Sequence, residues 1–308
     1  MSHDGVLDEE VLDPRVVEWF DANPMMRDPS VDFSPEMLAL ARSPVGAPPT
    51  RAIARVRDDV VEGIPVRMYE HDHPSTGLVV YFHGGGFCIG SIGLMDNVAR
   101  ELAHCADVMV LSVAYRLAPE HPYPAGLDDC ETVTRWAFGN ASRLGVSPDR
   151  IVVAGESAGG NLAAAVALRL RGHGDVPLAG QVLMYPGVDG GSRDHPSRDE
   201  FAGIVLSRTM MEAFWERYTG GRDLAHEPFA APLHAATLAG LPPAIVVLGG
   251  CDPLRDEGRH YAARLRDDGV AVEEVCFGGQ PHGFINFQLP AAADAFGRVG
   301  AWLRSRLV

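Results

Sequence analysis

A strand–turn–helix pattern around Ser157 constrains the fold more than any other stretch of this chain. A short apolar run at 151–154 leads into Gly-Glu-Ser-Ala-Gly, and an alanine-rich helical pattern follows at once. In this context a serine sits on a sharp turn with its hydroxyl exposed. The turn is crowded, so Gly155 and Gly159 must lack side chains. An ordinary strand-to-helix turn that happens to carry a serine is the competing interpretation, and the rest of the chain decides between them.

Apolar runs and helical patterns alternate on both sides of this turn. The predicted strands are 78–82, 108–114, 151–154, 178–185, 244–248 and 270–277. The predicted helices between and after them are 94–106, 125–138, 161–171, 257–267 and 291–307. Short, nearly continuous apolar runs are typical of parallel strands covered on both faces. Two alternating segments, 51–61 and 64–70, predict a β-hairpin ahead of this core. The sequence therefore predicts an α/β fold with a doubly wound sheet in a single domain over 1–308.

Two segments depart from the alternation, and we expect them to form a helical cap. Residues 1–48 and 187–230 are predicted to cover a core made of 49–186 and 231–308, at the carboxyl ends of the strands, where open α/β sheets bind ligands. The second segment contains one amphipathic helical pattern, at 207–218. Large apolar side chains of the cap either line a pocket or pack the cap itself, and helical spacing favours packing: Met25, Met26, Phe33, Phe201, Met210, Met211, Phe214 and Trp215.

Charge and composition exclude several classes of partner. The chain has 308 residues and a formal net charge of −15, which argues against nucleic acid because phosphate binding needs the opposite sign. The five cysteines are scattered and form no C-x-x-C pair, so neither a zinc site nor a disulfide framework is indicated. The first ten residues lack a secretory pattern, and no apolar run reaches the length of a membrane span. We expect a cytoplasmic protein with no stable membrane insertion.

Candidate partners for an activated serine lie at the ends of two later strands. Such a serine needs a base and a group that orients the base. Asp252 follows the predicted strand 244–248, and His282 follows 270–277. We expect His282 to accept the proton of Ser157 and Asp252 to fix the imidazole tautomer. A helix N-cap ahead of Pro253 is the alternative interpretation of Asp252.

Other ionisable side chains near this sequence are expected to be structural. Asp256 and Glu257 fall in the next helix, where a solvated first-turn position fits them better. His71 and His73 show no metal-like spacing, so we interpret them as surface residues and predict no metal site.

The segment His-Gly-Gly-Gly at 83–86 follows the predicted strand 78–82 and is the candidate oxyanion loop. Consecutive glycines let the backbone approach a substrate and turn N–H groups inward. We expect the backbone N–H groups of Gly84, Gly85 and Ala158 to stabilise an oxyanion. Gly86 is expected to support the loop. His83 is expected to pin the loop by hydrogen bonding rather than to act as the base.

Five short motifs in order resemble the hormone-sensitive-lipase family of carboxylesterases, which are α/β-hydrolases. They are His-Gly-Gly-Gly at 83–86, Tyr-Arg-Leu-Ala-Pro-Glu at 115–120, Gly-Glu-Ser-Ala-Gly-Gly at 155–160, Asp-Pro-Leu at 252–254 and Pro-His-Gly-Phe at 281–284. The resemblance implies an eight-stranded, mostly parallel sheet, a two-part helical cap, no cofactor and hydrolysis of short-chain esters. Dimers are common among proteins that look like this one, and the sequence does not decide whether this chain forms a homodimer.

One residue departs from the family pattern. The family usually carries aspartate before the serine, and this chain carries Glu156. The longer side chain must find partners beside the nucleophile. If Glu120 lies close by, the two carboxylates raise the pKa of one of them. We expect both glutamates to support the site structurally.

The sequence favours a serine carboxylesterase that acts on small esters, with acetyl to hexanoyl acyl groups preferred. An amidase or deacetylase would use the same three residues, so that alternative stays open. A small-ligand receptor on the same fold is an alternative from another class. Receptors of this kind, such as the plant gibberellin receptor, typically lack the catalytic histidine, and the presence of His282 favours an enzyme.

Overall fold

An eight-stranded sheet runs through the centre of the molecule. The computed structural model describes residues 10–27, 29–30, 33–75, 77–172, 174, 176–191 and 194–307. The strands are β1 (Arg55–Val61), β2 (Ile64–Glu70), β3 (Leu78–Phe82), β4 (Met109–Val113), β5 (Ile151–Glu156), β6 (Gly180–Met184), β7 (Ala244–Cys251) and β8 (Val272–Pro281). Their order is β1-β2-β4-β3-β5-β6-β7-β8. β2 is antiparallel to both of its neighbours, and all other pairs are parallel.

The predicted hairpin and buried strands are confirmed, with two informative differences at strand ends. The β1–β2 turn places Glu62 and Gly63 at φ +49° and +85°, the left-handed backbone that tight hairpins use. Every residue of β3 to β7 is buried, as the continuous apolar runs predict. β7 and β8 extend beyond the predicted ends, to Cys251 and Pro281. Asp252 and His282 therefore follow the last residues of two adjacent strands.

Helices cover both faces of the sheet, so the doubly wound prediction is confirmed. The helices are α1 (Pro14–Ala22), α2 (Pro35–Ala41), α3 (Asp96–Ala106), α4 (Ala125–Gly139), α5 (Ala141–Leu144), α6 (Ala158–Leu170), α7 (Ser197–Glu200), α8 (Arg208–Thr219), α9 (Arg255–Asp267) and α10 (Ala292–Leu307). Short 3₁₀ turns occupy Pro24–Met26, Pro148–Arg150 and Pro232–His234. Buried side chains of α4, α6 and α9 form one core cluster, and those of α1, α3 and α10 form the other. Within the described residues, no helix combines the length and apolar character needed to cross a membrane.

The two segments predicted as a cap contact each other in the structure. The amide of Val205 donates to the carbonyl of Met26 over 3.1 Å, and the Ser207 hydroxyl donates to the Pro29 carbonyl over 2.8 Å. The described residues of the segment 187–230 form α7 as well as the α8 that its pattern predicted. α1 packs on the core cluster of α3 and α10. The cap-and-core boundaries stay a prediction, and residues 1–9 of that cap lie outside the described residues.

Candidate active site

Ser157 stands on the sharp turn that its sequence predicts. It has φ +56° and ψ −120°, between the end of β5 and the first residue of α6. A Cβ on Gly155 would overlap the carbonyl oxygen of Gly159, and a Cβ on Gly159 would overlap the carbonyl oxygen of Phe82. The prediction that both positions must lack side chains is confirmed. The turn thus needs one strained serine and two glycines.

The structure brings Ser157, His282 and Asp252 together as a hydrogen-bonded chain. Ser157 Oγ lies 2.9 Å from His282 Nε2, and His282 Nδ1 lies 2.9 Å from Asp252 Oδ2. Asp252 is fully buried and His282 nearly so. Because Nδ1 faces a carboxylate, it carries the proton, and Nε2 presents a lone pair to the serine hydroxyl. This arrangement is able to withdraw the serine proton.

The N-cap position of α9 is Leu254, without a side-chain cap, so the interpretation of Asp252 as a helix N-cap is wrong. Asp252 nevertheless makes a second contact in this loop. Its second oxygen, Oδ1, accepts the backbone N–H of Leu254 over 2.8 Å, just ahead of α9. The side chain therefore stabilises the loop that carries it and orients the histidine with its other oxygen. The Tyr185 ring packs edge-on against the His282 ring, with centroids 4.9 Å apart, and contributes to the burial of the imidazole.

The oxyanion loop differs from its prediction at one glycine. The N–H of Gly84 donates to Oε1 of Glu156 over 2.6 Å, so the expectation that Gly84 donates to an oxyanion is wrong. In the described part of the chain, no acceptor takes the N–H of Gly85 or Gly86. Ala158 opens α6, where an N–H has no intrahelical acceptor. The available donors are therefore Gly85, Gly86 and Ala158, and all three border the same cavity as Ser157.

Positive φ angles explain why this loop needs glycines. Gly85 and Gly86 have φ +119° and +57°. A Cβ on Gly85 would overlap the Ile89 carbonyl, and one on Gly86 would overlap the Phe214 ring. The loop conformation therefore tolerates no side chain at either position.

Glu156 is a fully buried carboxyl beside the nucleophile. Desolvation raises its pKa to about 7, and the hydrogen bond from the Gly84 N–H opposes the shift. Its second oxygen, Oε2, and the Tyr81 hydroxyl both lie buried without a hydrogen-bond partner among the described residues. Glu156 therefore titrates near neutral pH while one of its oxygens holds the oxyanion loop.

Glu120 does not share a site with Glu156. Its two oxygens pair with Arg42 over 2.9 Å each, and its side chain is about half exposed. The hydrogen bonds from Arg42 lower the pKa of Glu120. Arg42 also donates to the carbonyls of Cys88 and Ala118 over 2.7 Å. The condition set for a shared pKa shift, that Glu120 lies close to Glu156, is therefore not met, and burial is what raises the pKa of Glu156. Glu120 instead anchors Arg42 against the oxyanion loop.

His83 lies beneath the oxyanion loop and makes contacts that pin it. It is buried, and its Nδ1 lies 2.7 Å from the Gly84 carbonyl, to which it donates. The Tyr115 hydroxyl donates to the His83 carbonyl over 2.7 Å, and the two rings stack with centroids 4.5 Å apart. Burial lowers the pKa of His83 to about 4. The ring is therefore neutral at physiological pH.

A cavity of about 310 Å³ opens onto Ser157 and His282. Of the eight large apolar side chains singled out in the cap, five border it: Met26, Met210, Met211, Phe214 and Trp215. Met25 is exposed, and Phe33 packs edge-on against Phe214 with centroids 5.7 Å apart. Both interpretations of these residues hold, since α8 packs the cap with some side chains and lines the cavity with others.

The sequence did not reveal a charged pair in the same cavity. Glu257 is fully buried and accepts Arg198 Nε over 3.0 Å, so its interpretation as a solvated first-turn residue is wrong. Both side chains border the cavity. Arg198 lies on α7, 59 positions away in the chain. The local sequence pattern of α9 does not distinguish a buried glutamate from an exposed one. The ion pair forms only because the inserted segment 187–230 folds back onto α9.

His73 lies at the surface, as expected, whereas the His71 side chain is only 14% exposed, and both histidines lie near Asp107. Their ligand-type atoms and that carboxylate lie within 4.8 Å of one another, which the sequence spacing did not indicate. His71 Nε2 is 3.1 Å from the Ala103 carbonyl, to which it donates. That nitrogen therefore caps the end of α3.

An open, doubly wound sheet that carries a serine, a histidine and an aspartate at its carboxyl edge defines an α/β-hydrolase. The alpha/beta hydrolase fold family matches residues 79–286 of this chain. Carboxylesterase NlhH of Mycobacterium tuberculosis is 43% identical over 257 residues, which cover 81% of this chain and 80% of that protein. Esterase LipI of the same species is 37% identical over 310 residues, 96% of each chain.

The same relationship holds for solved structures. The hyperthermophilic esterase of the archaeon Pyrobaculum calidifontis superposes with a TM-score of 0.87 at 35% identity, covering 96% of this chain and 98% of the other. The chain belongs to the hormone-sensitive-lipase-like family of carboxylesterases, and it is a carboxylic ester hydrolase.

Proposed function

We propose that this chain is a serine carboxylesterase that hydrolyses short-chain esters through an acyl-enzyme. The observation that carries the proposal is the chain of two 2.9 Å contacts from Ser157 through His282 to Asp252. Ser157 is the nucleophile, His282 the general base and then general acid, and Asp252 the residue that orients His282. The same hydrogen-bonded histidine argues against a receptor that binds without turnover.

Acylation begins when His282 Nε2 takes the proton from Ser157 Oγ. The oxygen attacks the ester carbonyl carbon, and the former carbonyl oxygen becomes an oxyanion that accepts hydrogen bonds from Gly85, Gly86 and Ala158. His282 then donates its proton to the leaving alkoxide as the carbon–oxygen bond breaks. Water repeats these steps on the acyl-enzyme and releases the acid. Asp252 stabilises the imidazolium formed in each half-reaction.

Four further residues hold the oxyanion loop in place. Gly84 is held at both of its polar backbone groups. Its N–H donates to Glu156, and its carbonyl accepts a hydrogen bond from His83. Glu120 fixes Arg42, which donates to the Cys88 carbonyl on the far side of the loop. These contacts support a loop whose following amides point at the oxyanion. Because the N–H of Gly86 has no acceptor among the described residues and Gly86 borders the cavity, we assign it to the donors rather than to the support.

The cavity supports small substrates. Its volume of about 310 Å³ lies at the low end of ordinary ligand pockets. We propose that acyl groups from acetyl to hexanoyl are preferred. A kcat/KM that rises with acyl length beyond about ten carbons would contradict this size limit, for which a p-nitrophenyl ester series is the assay. Cys88, Cys105 and Cys130 are free thiols, which supports a reducing compartment such as the cytoplasm.

Substitution of the nucleophile tests the mechanism. Ser157→Ala is expected to abolish both p-nitrophenyl acetate hydrolysis and covalent labelling by a fluorophosphonate. Ser147→Ala, at an exposed turn, is the matched control and should keep both activities. Turnover retained by folded Ser157→Ala protein would refute the proposal. Matched ester and anilide substrates, measured side by side, decide between esterase and amidase.

A further inference from the structure

A buried ion pair borders a cavity that is otherwise mostly apolar. Arg198 is 8% exposed and Glu257 is fully buried. Both Nε and Nη2 of Arg198 donate to Glu257 Oε2. A pair of this kind stabilises a fold little compared with apolar residues of similar volume. Its presence in a substrate cavity therefore calls for a role in recognition.

The position of Arg198 is fixed from both sides. Oε1 of Glu257 accepts the backbone N–H of Val188 over 2.6 Å, so the carboxylate cannot swing freely. The neighbour of Arg198 on α7, Ser197, donates its hydroxyl to the Pro253 carbonyl over 3.0 Å, and its amide donates to Asp256 over 2.9 Å. α7 is thus docked on the loop that follows Asp252, and the guanidinium is preorganised.

One edge of the guanidinium has no acceptor in the protein. Nε and Nη2 are occupied by Glu257, whereas Nη1 has no hydrogen-bond partner among the described residues. An arginine presents five N–H donors in a rigid fork, so the Nη1 edge of Arg198 is able to donate to a bound molecule. A substrate oxygen beside Nη1 would accept that hydrogen bond.

Arg198 also stands between two cavities. A second cavity of about 250 Å³ shares Arg198, Trp215 and Gly191 with the one that contains Ser157. Its other borders include Glu212, Glu216 and Arg222. A substrate group that extends from Ser157 toward the cap therefore approaches the polar side chain of Arg198 rather than apolar side chains alone.

We infer that Arg198 is a specificity-determining residue that binds a neutral oxygen acceptor on the cap-facing part of the substrate. The favoured substrates are esters with a keto, ether or second ester oxygen there, in preference to pure hydrocarbon esters of the same size. This inference rests on the proposed function. A neutral acceptor is favoured over a carboxylate because Glu257 already balances the charge of Arg198.

Isosteric substrate pairs test the inference. The acyl pair is p-nitrophenyl 4-oxopentanoate and 4-methylpentanoate, and the alcohol pair is 2-methoxyethyl acetate and butyl acetate. The measured quantity is the ratio of kcat/KM within each pair, compared between variants so that intrinsic reactivity cancels. A p-nitrophenyl hemisuccinate supplies the anionic arm. The reference substrate is p-nitrophenyl acetate, whose acyl group carries no additional oxygen.

The test variant is Arg198→Met with Glu257→Gln, which removes both charges together and keeps an acceptor for Val188. Arg198→Lys is the second variant, because lysine keeps the charge and loses the planar fork. Arg135→Met, an arginine of α4 that pairs with Glu131 and borders neither cavity, is the matched control. Fluorophosphonate labelling of Ser157 at the wild-type rate verifies that each variant is folded.

The oxygen-over-hydrocarbon ratio of at least one pair is expected to fall about tenfold in the double variant and to fall in Arg198→Lys, as for loss of a hydrogen bond to a charged donor. The control should keep the wild-type ratio and change acetate turnover by less than about threefold. Unchanged ratios in both pairs would overturn the inference while acetate hydrolysis upholds the proposed function. An Arg198-dependent preference for the hemisuccinate would overturn the neutral-acceptor assignment. A wild-type protein that neither labels nor hydrolyses acetate would refute the proposed function itself.

Discussion

The amide of Gly84 donates to Oε1 of Glu156 over 2.6 Å, and this contact joins the oxyanion loop to the nucleophile turn. It follows from the sheet register, in which Phe82 of β3 lies opposite Gly155 of β5. The residues after two neighbouring parallel strands meet at the same edge. The side chain before the serine thereby holds the first glycine of the loop, and the next two amides are left for the substrate.

Removal of the hydrogen bond between Gly84 and Glu156 should lower kcat rather than weaken substrate binding. Glu156→Ala leaves a buried N–H without an acceptor and frees the loop, so we expect kcat for p-nitrophenyl acetate to fall about 100-fold, as for loss of one oxyanion donor, with KM little changed. Glu156→Gln keeps an acceptor and should recover most of kcat. Equal losses in the two variants would show that the charge, not the hydrogen bond, matters.

The raised pKa of Glu156 predicts a dependence of stability on pH. Between its usual pKa of 4.5 and its folded pKa of about 7, the unfolded chain has lost this proton while the folded protein keeps it. The free energy of unfolding therefore decreases as pH rises through that window, by a total of about 3 kcal/mol. Glu156→Gln removes this loss, so its stability relative to wild type should rise from pH 4.5 to 7.5 in urea unfolding.

Glu120→Gln is the control for that measurement. Arg42 lowers the pKa of Glu120, so this carboxylate stabilises the fold at neutral pH and loses that contribution as pH falls. Its effect has the opposite sign and, because the pair is exposed, should stay below about 1 kcal/mol. A parallel pH dependence of the two variants would contradict the assignment of the titration to Glu156.

Replacement of the Asp252 carboxylate, which orients His282, should lower kcat. Asp252→Asn is expected to reduce kcat about 10⁴-fold, because an amide favours the wrong imidazole tautomer. Asp256→Asn, four residues later in α9, is the matched control and should retain near-wild-type kcat. For both variants, the measured quantities are the rate of fluorophosphonate labelling and kcat for p-nitrophenyl acetate. A loss shared equally by the two would indicate a damaged loop instead of a lost orienter.

The sequence predicted those parts of the site that sit at strand ends. Ser157 and Asp252 follow fully buried strands, and His282 follows the partly buried β8. A pattern of strands is therefore enough to place all three on one edge. It did not predict which amides are free, because that depends on the φ angles of Gly85 and Gly86 and on where the Glu156 carboxyl reaches.

Contacts that depend on the inserted segment were also beyond prediction from sequence. The pairing of Arg198 with Glu257 requires the path of the chain between β6 and β7, and a glutamate in the first turn of a helix has the same local pattern whether it is buried or exposed. The ion pair of Arg42 with Glu120 joins the segment after α2 to the loop after β4 in the same way. Local sequence patterns specify helices and strands, whereas these ion pairs depend on how segments far apart in the chain pack against the core.

A final prediction concerns the closeness of α6 to β3. A Cβ on Gly159 would overlap the carbonyl oxygen of Phe82 and approach that of His83, both parts of a backbone that cannot yield without displacing the oxyanion loop. Gly159→Ala should lower the free energy of unfolding by about 1–3 kcal/mol and reduce activity with it. Gly297→Ala is the matched control in α10, where an added Cβ meets nothing within 4 Å and should stabilise by up to about 1 kcal/mol. Urea unfolding monitored by tryptophan fluorescence measures both, and a Gly159→Ala protein as stable and active as Gly297→Ala would show that the elbow does not require a glycine there.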